Sequence, residues 1–282
     1  MVHDTSTAPR VTVIITTRNE ERNILPCVHA IHAQTLPRPM YVIMLVDNYS
    51  TDRTVELARP FVDTVYLHGP ERSAQRNFGV AHATTPYVLY LDADMRLSPT
   101  VLEECVNTLD ANPELVALYI PEKIVGTGFW IAVRNFERSF YDATVVDAVR
   151  FIRRDAFLAT GGFDTSLCGP EDWDLDRRLA THGRFALITA PLYHDEGAFS
   201  FRRYLRKKAY YAQSFAAYAH KWQHDAVVRK QLGAWYRFIG VFIEQGKWRR
   251  LLRHPLLGAG MYLLRFLVGC SFLLSKFTRA KE

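Results

Sequence analysis

The sequence predicts an α/β protein: a mostly parallel sheet with helices on both faces, followed by a helical C-terminal region. Three observations predict it. Short β-branched apolar runs alternate with segments whose apolar residues recur at helical spacing. Three of those runs end in polar clusters, Thr16–Glu20, Asp47–Asp52 and Asp92–Asp94, at the carboxyl edge where open α/β sheets bind ligands. The 282 residues also fall where single cores stop growing, at roughly 250–300 residues, and the composition changes near residue 199. Residues 1–198 are therefore expected to form the α/β domain and 199–282 a basic, aromatic helical appendage.

Val11–Thr17 (VTVIITT) reads as a strand, and Ile24, Leu25, Val28 and Ile31 place a helix after the Arg18–Glu21 loop. Beyond the Pro37–Pro39 breaker, Tyr41–Val46 is a second strand ending at Asp47–Asp52, and Val55, Leu57 and Ala58 suggest a short helix. Val65–Leu67 is a third strand, and Ser73–Ala83 a helix that starts after Gly69–Pro70. Tyr87–Leu91 (YVLYL) is a fourth, buried strand running into Asp92–Ala93–Asp94. Pro99–Leu109 is predicted helical, with Ser98 as its cap. Gly126–Arg150 is less regular, mixing aromatics with Arg134, Arg138 and Arg150. Phe151–Ile152, the turn Gly161–Asp164, and a helix opening at Gly169–Asp172 and running through Leu179 follow.

The composition excludes collagen, a disordered tail and a small disulfide scaffold. The formal charge of +6 conceals a division: residues 1–199 hold 18 Lys/Arg against 26 Asp/Glu, and 200–282 hold 17 against 3. An acidic front suits divalent cations or the deprotonation of hydroxyls, and a basic, aromatic tail suits an anionic surface such as lipid headgroups or nucleic acid. A solvated basic helical face is the plainer alternative. Cys27, Cys105, Cys168 and Cys270 are far apart, with no CxxC pair, which fits a reducing compartment. The polar Met1–Arg10 and the short apolar run after it lead us to expect no export signal.

The blocks VTVIITTRNEE, VDNYSTDRT, AQRNFGVA, YLDADM and GGFD…GPEDWDLDRRL, in that order over about residues 11–196, resemble the inverting glycosyltransferases of family 2 with their GT-A fold. A lone DxD is weak; one directly after a buried strand, with an ED pair 80 residues beyond Asp92, is specific. The resemblance implies transfer from a nucleotide-diphospho-sugar donor to a hydroxyl acceptor. The leaving diphosphate needs Mg²⁺ or Mn²⁺, which take carboxylate and phosphate oxygens. Asp94 is the expected direct ligand, Asp92 either shares the metal or holds ribose hydroxyls, and His194 in YHDEG is a third candidate ligand. Inversion needs a carboxylate opposite the leaving group to take the hydroxyl proton. By resemblance this is Asp172, with Glu171 supporting it or touching the acceptor, and Arg178 either contacting diphosphate or orienting its loop. First-turn acids favoured by the helix dipole are the plain alternative for Glu171–Asp172.

The donor cradle is carried over residue by residue: Thr16, Arg18 and Glu20 toward base or ribose, Asp47 and Asn48 toward the base, and Arg76 toward the diphosphate, with Ala93 inside the DxD turn. Asn48 departs from the more usual aspartate, and because an amide both donates and accepts, the base stays open. The aromatic, basic Gly126–Arg150 stretch is consistent with an acceptor-side wall.

Phe199–Ala219 has the composition of an interfacial helix. Pro255–Phe277 is apolar apart from Arg265 and Lys276. An arginine at a bilayer's centre costs about 2.5–3.5 kcal/mol on insertion scales, so a helix lying in the membrane surface is favoured over a span, with a packed amphipathic helix as the alternative. The resemblance implies a lipid-linked or polysaccharide acceptor, as relatives of this kind often use, which would place the site at the cytoplasmic face of a membrane; no nucleic-acid-binding signature appears in the tail. Two rivals remain. A sugar-nucleotide nucleotidyltransferase would need a glycine-rich phosphate loop, and Thr16–Glu21 has no glycine. An inactive membrane adaptor is opposed by intact Asp92, Asp94 and Asp172.

Overall fold

The structure, a computed structural model, describes residues 8–279, with side chains described through Cys270. In chain order the elements are β1 (Val11–Thr17), α1 (Ile24–His32), β2 (Tyr41–Asp47), α2 (Thr54–Ala58), β3 (Thr64–Leu67), α3 (Glu71–His82), β4 (Tyr87–Asp92), β5 (Met95–Leu97), α4 (Val101–Ala111) and β6 (Leu115–Tyr119). Then come β7 (Glu122–Thr127), α5 (Phe129–Arg138), β8 (Phe151–Arg153), α6 (Arg154–Ala159), α7 (Glu171–Leu179), β9 (Arg184–Leu187) and β10 (Leu192–Ala198). Helical segments follow: α8 (Phe201–Tyr211), α9 (Phe215–Lys221), α10 (Ala226–Leu232), a π-helical turn Tyr236–Gly240, α11 (Val241–Ile243), α12 (Trp248–Arg253) and the long α13 (Pro255–Arg279).

Two compact units emerge. Among the described residues, the first comprises 8–121, 148–165 and 175–194; the second comprises 122–147, 166–174 and 195–279. The observed division differs from the expected boundary after residue 198, because the tail folds together with two earlier segments. The apolar, aromatic face of α5 and the turn after it supply the reason: Val133, Phe136 and Phe140 form one cluster with Phe242, Met261 and Leu264 of the tail.

The first unit is a seven-stranded sheet in the order β3-β2-β1-β4-β8-β6-β9, parallel from β3 through β4 and antiparallel on both sides of β8. Val11, Val13 and Ile15 of β1 face one apolar layer and Ile14 the other, the period-two consequence of a strand covered on both sides. Gly79 of α3 is required for close packing, since a Cβ there would meet Ile14 Cγ2 at 2.6 Å. Register aligns the carboxyl edge: Thr16 sits level with Asp92 and Thr17 with Asp47. Strands β5, β6, β7, β9 and β10 were not expected from the sequence. They are short or carry polar residues, so no strong period marks them. Ser98 does not cap α4: its buried hydroxyl has no partner, and Gln34 Oε1 accepts the Leu102 N–H at 3.0 Å instead.

In the second unit, Arg265 is buried. Its guanidinium reaches Glu137 at 2.9 Å, Tyr141 Oη and the Arg237 carbonyl. Glu137 also accepts from Arg134 at 2.7 Å and from Tyr141 at 2.7 Å. Burial would raise the Glu137 carboxyl, but Arg265, Arg134 and Lys208 outweigh it and hold it at about 2. Removing one partner of a buried ion pair strands the other charge, so Glu137→Gln is expected to destabilise the fold by about 3–5 kcal/mol. An unchanged urea midpoint would refute this. Because the folded pKa is depressed, this contribution is complete above the ordinary carboxyl range and is lost as pH falls toward about 2.

Among the described residues no helix is long and apolar enough to cross a membrane. One face of α13, with Met261 and Leu264, is buried, while Leu256, Leu263 and Phe266 are exposed.

Candidate functional site

The DxD turn follows β4, and its two aspartates are held differently. Asp92 Oδ1 receives Arg76 Nη2 at 2.9 Å and Thr16 Oγ1 at 3.1 Å, and Asp92 Oδ2 lies 3.5 Å from Arg72 Nη1. Burial would raise its carboxyl, but Arg76, Arg72 and Arg150 hold it well below the usual range. Asp94 is oriented by a separate device. Strand β10 pairs antiparallel with β5, putting His194 opposite Met95, and His194 Nε2 then lies 3.1 Å from Asp94 Oδ2. Asp94 Oδ1 is buried with no hydrogen-bond partner. Ala93 between the two is buried.

No cluster of three or more His, Cys, Asp or Glu side chains that could hold a metal forms among the described residues. The expected trio is corrected in one member: Asp92 is committed to arginines and Thr16, leaving Asp94 and His194 as the pair with ligand capacity. An orphaned carboxylate oxygen beside an imidazole suits a cation completed by phosphate oxygens. Glu20, half-buried across the loop, senses the same negative field. Burial raises its carboxyl, the hydrogen bond from Asn23 offsets part of that rise, and Asp94, Asp92 and Asp52 add to it.

The AQRN block proves to be a clamp. Gln75 Nε2 donates to the Thr17 and Val46 carbonyls at 3.0 and 2.6 Å, Arg76 grips Asp92, and Asn77 exchanges two hydrogen bonds with the Phe163 backbone. Arg76 is buried over the Tyr90 ring, so it supports Asp92 rather than presenting a charge to diphosphate. The more exposed cation is Arg72, one helical turn earlier, which the sequence analysis missed although the i,i+4 spacing to Arg76 signals it.

Asp47 is likewise corrected: it is buried and accepts from Thr17 Oγ1, Ser50 Oγ and Ser50 N, fixing the loop rather than meeting a base. Asn48 next to it is half-buried, and its side chain makes no hydrogen bond among the described residues. Thr16 is buried against Asp92 and Leu91. Arg18 is exposed and makes no ion pair among the described residues. Tyr49, passed over by the sequence analysis, is 64% exposed at positive φ on this loop, an aromatic surface in a turn otherwise made of small polar residues.

Helix α7 carries the ED pair. Its first turn belongs to the second unit, where Asp172 is half-buried and Glu171 is buried, its carboxylate turned back on the Gly169 N–H. That position fits support of the loop, and contact of Glu171 with an acceptor is withdrawn. Asp174 is held by Lys221 and by Trp222 Nε1, each at 2.8 Å. In the first unit, Arg178 donates to the Thr160 and Gly162 carbonyls at 2.8 and 2.5 Å. Of its two expected roles, orienting the loop is the one its geometry fulfils; contact with diphosphate is withdrawn.

The sequence pattern of glycosyl transferase family 2 matches residues 12–165, more than half of the chain. The chain belongs to that family. Among curated relatives, this family 2 protein is 38% identical over 113 residues to glycosyltransferase AglE of Haloferax volcanii, covering 37% of each chain. It is 23% identical over 128 residues to the poly(ribitol-phosphate) β-N-acetylglucosaminyltransferase TarS of Staphylococcus aureus, covering 42% of this chain and 22% of TarS. The chain thus spans well under half the length of either relative. The mannosyltransferase PcManGT from Pyrobaculum calidifontis, solved with GDP-Man and Mn²⁺, superposes with a TM-score of 0.62 at 19% identity, covering 94% of this chain and 86% of that one. TarS 1–349 with UDP-GlcNAc gives 0.56 at 20% identity, covering 81% and 73%. These likenesses establish the GT-A-like fold.

Proposed function

We propose that this protein transfers a sugar, with inversion, from a nucleotide-diphospho-sugar to a hydroxyl on a lipid-linked or polysaccharide acceptor. The observation that carries the reading is Asp94: a buried, unpartnered carboxylate oxygen, aimed by His194, at the carboxyl edge of a family 2 sheet. Asp94 and His194 would hold Mg²⁺ or Mn²⁺, which when bound supplies charge neutralisation to the departing diphosphate. Arg72 contributes further positive charge beside Asp92. Thr16, Arg18, Glu20, Asn48 and Tyr49 line the loops for the nucleoside. Asp172 takes the acceptor hydroxyl's proton as the oxygen attacks the anomeric carbon from the face opposite the leaving group. The two solved relatives carry UDP and GDP sugars, so the base is left to measurement. Calorimetry with UDP, GDP, dTDP and CDP, in Mn²⁺ and in EDTA, is expected to give metal-dependent binding of one of them. Folded protein that binds none would overturn the transferase reading in favour of an inactive adaptor.

The second unit is the part we assign to the cytoplasmic face of a membrane. Between Trp235 and Phe266 the exposed large apolar side chains include Trp235, Phe238, Trp248, Leu252, Leu256 and Phe266, with Arg249, Arg250 and Arg253 exposed among them. Exposed tryptophans beside arginines suit the headgroup layer, where each basic residue contributes about 1 kcal/mol on an anionic surface. Arg249→Gln/Arg253→Gln is therefore expected to weaken sedimentation with phosphatidylglycerol vesicles about tenfold or more. Equal sedimentation of variant and parent would exclude this face.

A further inference from the structure

The second unit holds a polar cluster that the transfer chemistry does not use. Helices α5, α8 and α13 and the π-helical turn bring Arg134, Lys208, Arg265 and Arg237 around Glu137, with Glu196 paired to Arg134. Both carboxylates are taken. Glu137 serves Arg134, Arg265 and Tyr141, and Glu196 serves Arg134 at 3.0 Å. Neither carboxylate makes a direct ion pair with the other two cations among the described residues. Lys208 makes no hydrogen bond or ion pair among the described residues, and its ammonium lies 5.6 Å from the centre of the Tyr204 ring. The Arg237 guanidinium likewise makes none and lies 5.5 Å from the centre of the Trp173 ring.

Taking cations out of water without a direct ion pair is costly: both are half-buried, Glu137 acts on them only at longer range, and Lys208 also faces Arg134 and Arg237. Burial first, then repulsion from Arg134, pulls the Lys208 ammonium down to about 7. An anion supplied from outside would reverse that penalty, and a phosphate matches an ammonium beside a planar guanidinium. The surroundings say what else the ligand carries. The turn that sends Arg237 inward presents Trp235, Phe238 and Ile239 outward, and α13 likewise exposes Leu263 and Phe266 on either side of buried Arg265. Trp173, under Arg237, directly follows Asp172 in the chain.

We propose that Lys208 and Arg237 bind the phosphate of a phosphorylated long-chain lipid, the carrier on which the acceptor hydroxyl is presented. The hydrocarbon chain would lie along the exposed apolar side chains while the phosphate reaches the two cations. This deepens the reading above and rests on its lipid-borne acceptor.

The test is sedimentation of the full chain with phosphatidylcholine vesicles containing a few mole per cent of a polyprenyl phosphate, against vesicles of equal charge made with phosphatidylglycerol. Nucleoside diphosphate binding is measured in parallel. The parent is expected to prefer polyprenyl phosphate by about tenfold, the scale of one charge-assisted contact. Lys208→Gln/Arg237→Gln is expected to lose that preference with nucleotide affinity unchanged, and Lys208→Arg to keep it. Should the double variant not fold, Lys208→Gln alone, which breaks no ion pair, is expected to lose most of the preference. A preference that survives these variants, or is absent from the parent, overturns the proposal while nucleotide binding leaves the transferase reading standing. Loss of nucleotide affinity in the variants would assign the two cations to the donor instead. Failure of the parent to bind any nucleotide would remove both readings.

Discussion

Asp172→Asn is expected to lower kcat by about 10²–10⁴-fold, the usual worth of a positioned general base, while leaving nucleotide affinity within error. The substitution keeps the shape of the side chain at the first turn of α7 and removes only its charge. The associated loss of helix-dipole stabilisation is about 0.3–1 kcal/mol, too small to unfold the protein. The readouts separate catalysis from scaffolding. A base that accepts the acceptor's proton sets the acidic limb of the kcat/KM profile, so that limb disappears in the variant. Removing a merely structural first-turn acid would lower the melting temperature and leave the pH profile in place. Equal losses of transfer and nucleotide binding would withdraw the assignment. Glu171→Gln behaves differently on this geometry: its carboxylate holds the Gly169 N–H, so its loss is expected to appear in stability.

The carboxyl edge of the sheet was legible because physics leaves a strong signature there. Val11–Thr17 and Tyr87–Leu91 are continuous apolar runs, and a strand buried on both faces has no polar alternation to obscure it. Helix α3 was legible in its location but not in its role. Arg76 read as a candidate diphosphate contact, yet it is consumed in holding Asp92, while its neighbours Gln75 and Asn77 join strands and turns. A polar side chain buried to satisfy backbone carbonyls and one displayed to a ligand look the same in sequence; only burial separates them. The same ambiguity misassigned Asp47, whose three donors come from Thr17 and Ser50.

The second unit was legible in composition and not in architecture. A basic, aromatic tail is visible by counting, but its partner segment, Glu122–Asp147, precedes it by more than 50 residues and carries no signal of that pairing. Arg265 shows the consequence. Read along the chain it is a charge stranded in an apolar helix, an argument against a membrane span. In space it meets Glu137, a residue whose burial was unforeseen, so α13 can bury one face against α5 and leave the other apolar and exposed.

Asp94→Ala is expected to abolish the dependence of nucleotide affinity on Mn²⁺. In the parent, Asp94 and His194 would hold a cation whose charge favours the diphosphate, so the nucleotide dissociation constants in EDTA and in Mn²⁺ are expected to differ, each tenfold corresponding to about 1.4 kcal/mol. With Asp94 removed the two constants should converge on the EDTA value, while Asp92, held by Arg76, Arg72 and Thr16, remains in place and keeps the turn intact. This asymmetry is the discriminating feature. If Asp92 were the ligand, Asp94→Ala would leave a measurable metal effect, and an unchanged Mn²⁺ dependence would transfer the role to it. His194→Ala tests the second half of the pair. Loss of a group that orients a ligating carboxylate typically weakens metal affinity about 10–100-fold. An intermediate Mn²⁺ effect is therefore expected, because Asp94 would retain its charge but lose the imidazole that fixes Oδ2 and leaves Oδ1 turned inward without a partner.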